Sequence, residues 1–148
     1  MPKNPPENMP RITPYLLYED VGAAINWLAR AFGFHERMRL PGPNGAIAHA
    51  EMQRDDGVVM MGNPGPQYKN PKRVGHVTQS LYVYVEDVDK HFAHAQQAGA
   101  QIIEEPKDQF YGDRRYAAED PEGHVWYFAQ RVRDVKPEDM KIPAHHGA

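Results

Sequence analysis

Few side chains in this sequence are spaced to do chemistry, and most of those that are carry a phenol. The stretch EDPEGHVWYF, Glu119 to Phe128, reads as a strand end, a turn and a second strand bearing three aromatics. Side chains alternate along a strand, so Val125, Tyr127 and Ala129 share one face of it and Trp126 and Phe128 the other. The run SLYVY alternates in the same way: Ser80, Tyr82 and Tyr84 point one way, Leu81 and Val83 the other. With Tyr15 from the first predicted strand, Tyr82, Tyr84 and Tyr127 are candidates to line a ligand-binding surface. Aromatic pairs add about 0.5–1.5 kcal/mol each beyond area burial, so several together support a micromolar ligand. The plainer reading is that tyrosine simply favours half-buried sheet positions.

A second group is polar. His49 and Glu51 in AHAEM sit two apart on a predicted strand, on one face. They could hold a polar ligand group, work as an acid–base pair, or form half of an off-pattern metal site. A solvent-facing strand surface is the competing reading. Arg114 and Arg115 in YGDRRYAAE take opposite faces, and Arg115 is the one able to hold an anionic group bidentately. An ion pair to Asp113 or Glu119 is the alternative for it. Trp126 and Phe128 are expected in the core, His91 and His94 on an exposed helix surface, and His145 and His146 in a tail without a structural part. No role is read for His76 or His124.

Other chemistries are excluded outright. The chain has no cysteine, which removes disulfides, thiolate metal sites and a Cys nucleophile. Its single serine, Ser80, falls inside a predicted strand and not on the sharp strand-to-helix turn of a nucleophile elbow. There is no GxxxxGK[ST], GxGxxG or HExxH pattern.

The elements that must position these residues are written twice. Leu17-Tyr18-Glu19-Asp20-Val21 is echoed by Tyr84-Val85-Glu86-Asp87-Val88, each copy closing an apolar strand and opening a helix with an N-capping aspartate. Val21, Ile25, Leu28 and Phe32 form one helical stripe; Val88, Phe92 and Ala95 form the other. Gly33 and Gly99 end the helices, and Arg54-Asp55-Asp56-Gly57 corresponds to Asp120-Pro121-Glu122-Gly123 as a hairpin turn. The repeat is therefore strand, helix, strand, strand, strand. Strands are predicted at 11–18, 36–40, 46–53 and 58–62, and again at 77–85, 101–105, 114–119 and 124–130. Residues 1–10 read as an N-terminal arm and 131–148 as a tail. Residues 11–130 form a single domain, with unit one at 11–62, a linker at 63–75 and unit two at 76–130. A unit of about 60 residues buries too little surface to be secure alone, so two are expected to fold together. The 148 residues carry a net charge of −3 with scattered Lys and Arg, which argues against nucleic acid. The start MPKNPPENMP lacks a signal region, and no apolar run reaches the length of a membrane span, so a cytoplasmic location is expected.

The segments YEDVGAAINWLARAFGF, VEDVDKHFAHAQQAGA and YGDRRYAAEDPEGHVWYF, in this order, resemble the glyoxalase/bleomycin-resistance/dioxygenase (vicinal oxygen chelate) superfamily. The resemblance spans about Arg11 to Gln130, and the DPxGHxWxF ending is similar to its bleomycin-resistance-like members. It implies an α+β fold of two βαβββ units with curved mixed sheets, and a homodimer. In metal-dependent members, His and carboxylates from four strands hold a divalent ion. Carried over one at a time, those positions fall on Thr13, on Met61 (Met60 if the register slips by one), on Ser80 and on Tyr127. None is a good ligand for a hard divalent ion. The expectation is metal-independent binding of a small, partly aromatic molecule without a cofactor, with Tyr15, His49, Glu51, Tyr82, Tyr84, Arg115 and Tyr127 as ligand-binding residues. A glyoxalase- or dioxygenase-type enzyme with a non-standard metal site, and a degenerate interaction module, are the alternatives.

Overall fold

The computed structural model describes residues 1–144; His145 and His146 lie outside the described residues. Alternation and capping produce the predicted elements in the predicted order. β1 (Tyr15–Leu17), α1 (Val21–Trp27), β2 (His35–Pro41), β3 (Ile47–Arg54) and β4 (Gly57–Gly62) form one repeat. β5 (Ser80–Tyr84), α3 (Val88–Gln97), β6 (Gln101–Asp108), β7 (Asp113–Glu119) and β8 (Val125–Arg131) form the other, with a short α2 (Pro71–Val74) between them. Each repeat folds into a four-stranded mixed sheet, ordered β1-β4-β3-β2 and β5-β8-β7-β6. In both sheets the first strand runs parallel to the last, and the remaining pairs are antiparallel. This is the expected α+β arrangement of two βαβββ units. None of the described helices is long and apolar enough to cross a membrane.

Two compact units emerge from the chain's contacts: residues 1–77 with the turn Asp120–His124, and Thr78–Glu119 with the segment from Val125. In the first unit Asp20 caps α1 by accepting from the Ala23 amide. Val21 and Ile25 are buried, and so are Leu28 and Phe32, although the last turn, Leu28–Phe32, widens to π-helical hydrogen bonding. Gly33 closes it at φ 79, where a Cβ would be strained. Arg54 Nη1 then donates to the carbonyls of Phe32 and Gly33, satisfying acceptors the helix end leaves open. Ala50, Met52 and Met61 form the fully buried sheet side of this core. In the second unit Asp87 caps α3, whose Val88 and Ala95 are buried with Tyr116, Trp126 and Phe128. The expected core roles of Trp126 and Phe128 are observed, both at 0% exposure.

Three expectations are corrected. The first strand contracts from 11–18 to Tyr15–Leu17, since Pro10 and Pro14 lack ladder donors; the Pro14 carbonyl still pairs, accepting from the Met60 amide. In the linker 63–75, Tyr68 Oη donates to the Leu17 carbonyl, Asn63 to the Glu19 carbonyl, and Arg73 pairs with Glu19 at 2.7 Å. His91 is half-buried, not an exposed helix residue, because its ring packs 4.3 Å from Phe128 and its Nδ1 lies 2.6 Å from Tyr116 Oη. Finally, the two matched turns differ. Arg54 pairs directly with Gly57 across a two-residue turn with Asp55 at φ 50, whereas Glu119 pairs with Val125 across five residues.

The longer turn is built around one carboxylate. Asp120 Oδ1 accepts from the Glu122 and His124 amides, and Oδ2 accepts from Tyr18 Oη at 2.6 Å. Glu122 in turn accepts from the Glu19 and Asp20 amides, and His124 Nε2 meets the Leu17 carbonyl at 2.8 Å. Burial, followed by the Asp120 charge and hydrogen bond, raises the Tyr18 pKa well above the ordinary phenol value. Tyr18 and Asp120 are 0% and 4% exposed, so neither can exchange this bond for water. Tyr18→Phe should therefore destabilise the protein by about 1–3 kcal/mol, the cost of leaving a buried acceptor short of a donor. Urea unfolding would report it as a lower midpoint at unchanged slope; an unchanged midpoint would show that the bond is dispensable.

Candidate functional site

On the second sheet, parity brings the predicted tyrosines together. Tyr82 and Tyr127 are register partners across β5 and β8, and their rings stack at 6.1 Å and 20°. Tyr84, two residues along, meets Tyr82 edge-on at 5.6 Å. Tyr82 and Tyr84 are 41% and 57% exposed, an unusual amount of ring surface for strand residues. Arg115 on β7 reaches the same face: its guanidinium carbon lies 4.7 Å from the Tyr127 ring centroid. Nη1 of Arg115 donates to Tyr111 Oη, and Nη2 faces Glu104 at 3.6 Å. Glu104, and not Asp113 or Glu119, is thus its ion-pair partner. Arg114 takes the opposite face, bonded to Asp89 and Asp108. A depression of about 550 Å³ lies along the C-terminal segment, lined by residues from Phe110 to Lys141, and no tyrosine lines it.

The hydroxyls of these rings meet Asp113, which the sequence suggested only as an ion-pair partner for Arg115. Asp113 is 1% exposed, and its Oδ2 accepts from both Tyr82 Oη and Tyr84 Oη at 2.8 Å. Its Oδ1 accepts from Arg131 Nη1 at 3.1 Å. Tyr111, unforeseen, lies 2.9 Å from Tyr82 Oη. Asp113 and Arg115 share strand parity, so the face was inferable from YGDRRY; that a carboxylate would be buried there had no local signal. Burial raises the Tyr82 pKa above that of an ordinary phenol, with the bonds to Tyr111 and Asp113 adding to it. At Tyr84 the hydrogen bond to Asp113 is the leading cause, followed by burial. The same carboxylate raises the Arg131 pKa.

On the first sheet, Tyr15, His49 and Glu51 do come together. Tyr15 Oη lies 3.0 Å from His49 Nδ1, and His49 Nε2 lies 3.9 Å from Glu51 Oε2. Arg37 Nε faces Glu51 Oε1 at 3.4 Å. Met61, however, is not on this face: it pairs with Leu16 and is fully buried. The slipped register is the observed one, since Met60 pairs with both Tyr15 and Glu51. Thr13 precedes β1 and donates to the Pro10 carbonyl, while Ser80 is exposed at the start of β5. The four positions suggested for ligands thus hold Thr13, Met60, Ser80 and Tyr127. They offer hydroxyls and a thioether, which do not fit a hard divalent ion. Among the described residues, no three His, Asp or Glu side chains are grouped to hold a metal.

The phenol ionisations give a direct check. Folded-state values of Tyr82 and Tyr84 lie above the unfolded value of about 10. Their contribution to stability is therefore complete below that pH and is lost as pH rises through the folded values. In an alkaline absorbance titration both phenols should ionise later than a free tyrosine. Asp113→Asn should bring Tyr84 back towards the ordinary range more than Tyr82, as read by comparison with Asp113→Asn/Tyr84→Phe. An Asp113→Asn titration identical to that of the native protein would contradict the assigned cause.

Comparison with known proteins agrees with the fold. Residues 10–128 match the family profile of the Glyoxalase/Bleomycin resistance protein/Dioxygenase superfamily. Uncharacterized protein Mb0911c of Mycobacterium bovis is 33% identical over 137 residues, covering 89% of this chain and 90% of that one. The crystal structure of TioX from Micromonospora sp. ML1 is similar with a TM-score of 0.69 and 36% identity, over 83% of this chain and 99% of that one. The fosfomycin resistance protein FosX from Listeria monocytogenes shares the fold alone, at a TM-score of 0.61 and 12% identity over 89% and 98% of the two chains. By profile, sequence and fold, the chain belongs to the glyoxalase/bleomycin resistance protein/dioxygenase superfamily.

Proposed function

We propose that this protein binds a small, partly aromatic molecule on the tyrosine face of its second unit, without a metal. The observation that carries the reading is the Asp113-anchored set of Tyr82, Tyr84 and Tyr127 with Arg115 over it. The rings are held in fixed orientations while substantial aromatic surface stays exposed, so a planar ligand can stack without first ordering its site. Arg115 supplies a fixed positive charge for an electron-rich edge of the ligand. The same charge disfavours a divalent cation beside Tyr127, where metal-dependent relatives are expected to carry a carboxylate. His49, Glu51 and Tyr15 gather separately, on the first unit.

A screen by thermal shift against bleomycin, catechols and the methylglyoxal–glutathione adduct is expected to yield a micromolar binder. Its affinity should be unchanged by EDTA. Tyr127→Leu keeps apolar bulk but removes the stacked ring, and should weaken binding roughly five- to tenfold, about 1 kcal/mol. Loss of binding on chelation, or indifference to Tyr127→Leu and Tyr84→Leu together, would dismiss this reading.

We further infer a homodimer, as relatives of this family commonly form. Its support here is exposed apolar surface on both sheets outside the tyrosines, including Leu17, Leu40 and Ile103. Light scattering at micromolar concentration should give twice the chain mass; a monomer mass would reject it.

A further inference from the structure

The tyrosine face leaves a second cluster unused on the first sheet. The Tyr15 ring lies across β4 at Gly62, where a Cβ would collide with the hydroxyl and stand 2.9 Å from Cε1. Only a glycine there lets the hydroxyl reach His49 Nδ1, 3.0 Å away on β3. Behind the imidazole stands Glu51, held on its other oxygen by Arg37. The side chains of His49, Glu51 and Arg37 are only 25%, 14% and 23% exposed, whereas Tyr15 itself is 50% exposed. Glu51 Oε2 lies 3.9 Å from Nε2, too far for a hydrogen bond, but its charge favours the tautomer with the proton on that nitrogen. In that tautomer Nδ1 accepts and Tyr15 donates. Phenol, imidazole and carboxylate stand in the order of a reactive group, its base and a charge beside the base.

We propose that Tyr15 is an activated phenol at a metal-free acid–base site on the first unit, serving small molecules with a weakly acidic hydroxyl or an enolisable carbonyl. The ligand's O–H or C–H proton passes to the Tyr15 oxygen as the phenolic proton moves to His49 Nδ1. The electron pair of the broken bond stays on the ligand as an oxyanion or enolate. The imidazolium so formed is compensated by Glu51. Reversal of the two transfers returns a proton to the ligand, at the same or a neighbouring atom, and no oxidant or further reactant is needed. His49 and Glu51 act through Tyr15. The site stands apart from the proposed ligand of the second unit and does not depend on it. Tyr82, the repeat counterpart of Tyr15 at an offset of 67, donates to the Asp113 carboxylate and has no such imidazole.

The experiment uses the whole protein with limiting N-acetylimidazole at neutral pH, and peptide mass spectrometry to read acetylation at each tyrosine. In the probe reaction the Tyr15 oxygen bonds to the acetyl carbon, the carbon–nitrogen bond breaks, and the proton leaves through His49 with the departing imidazole. Tyr84 is no reference, because its hydroxyl is held by Asp113; free N-acetyltyrosinamide in the same reaction is one, and access alone would leave Tyr15, at 50% exposure, slower than it. The proposal predicts the reverse, with Tyr15 at least about tenfold faster than the free phenol, a modest share of what a general base supplies. His49→Gln keeps a hydrogen-bonding side chain but no base, and should bring Tyr15 down to the free rate or below it. Gly62→Ala removes no polar group and should do the same by displacing the ring. Tyr116, fully buried, reports folding by staying unlabelled; where a variant unfolds, the native comparison of Tyr15 with the free phenol decides. Tyr15 no faster than the free phenol in the native protein, or a fast Tyr15 unmoved by His49→Gln in a folded variant, overturns the proposal.

Discussion

The candidate surface of the second unit depends on a single buried carboxylate. Asp113 is almost wholly removed from water, and a charge in that position persists only if donors replace the lost hydration. Three do so: two phenols from one strand converge on Oδ2, and a guanidinium from β8 holds Oδ1. Because Tyr82 and Tyr84 share an oxygen, their rings cannot turn independently. Tyr82 in turn sets the stacking position of Tyr127. The rings of Tyr82 and Tyr84 are therefore oriented through their hydroxyls, by electrostatics, while both residues stay exposed. Ordering costs that a ligand would otherwise meet on binding are met in folding instead.

The two repeats share a backbone plan and differ in what they do with it. Tyr15 pairs with Met60 and Tyr82 with Tyr127, the same register displaced by 67 residues. The equivalent phenols nevertheless meet opposite partners: an imidazole nitrogen able to take a proton for Tyr15, and a carboxylate and a second phenol for Tyr82. Strand spacing decides where a hydroxyl stands, while the residue across the sheet decides whether it is reactive or locked. Gly62 shows how little is required for the difference. One missing side chain opens the path from Tyr15 to His49.

Much of the architecture was legible because local rules and the repeat agreed with one another. Alternation at Ser80–Tyr84 and Val125–Ala129, Asp20 and Asp87 as caps, and Gly33 as a helix stop all act within a few residues. The common face of Tyr82 and Tyr84, and that of His49 and Glu51, follow from parity alone, whereas Tyr127 joins the first through the β5–β8 register. What was hidden acts at long range. Tyr18 matches Val85 in the repeat, so nothing nearby shows that its hydroxyl is held 102 residues away by Asp120. Asp113 looks like an ordinary polar residue after a turn until the tyrosines of β5 are laid beside it. The choice between Met60 and Met61 turns on a single residue of register, which inverts every side chain and is set by pairing across strands. Residues 63–75 read only as a linker, from their Pro, Gly and charge. Its order comes from Tyr68, Asn63 and Arg73 meeting backbone and carboxylate groups of residues 17–19.

The charge beside Tyr127 bears on which ligands this surface can accept. A guanidinium near an aromatic face is attracted to the ring's electron density, and Arg115 is further restrained by Tyr111 and Glu104. A second cation brought to the same ring would meet Arg115 at short range and find Asp113 buried and already accepting from three donors. An aromatic ligand faces neither obstacle: its ring can stack on Tyr82 and Tyr127, and an oxygen at its edge would lower the potential around Arg115. Under the proposed function, exchanging a carboxylate for a phenol at this one position, with an arginine two residues into β7, changes the preferred guest from an ion to a planar molecule.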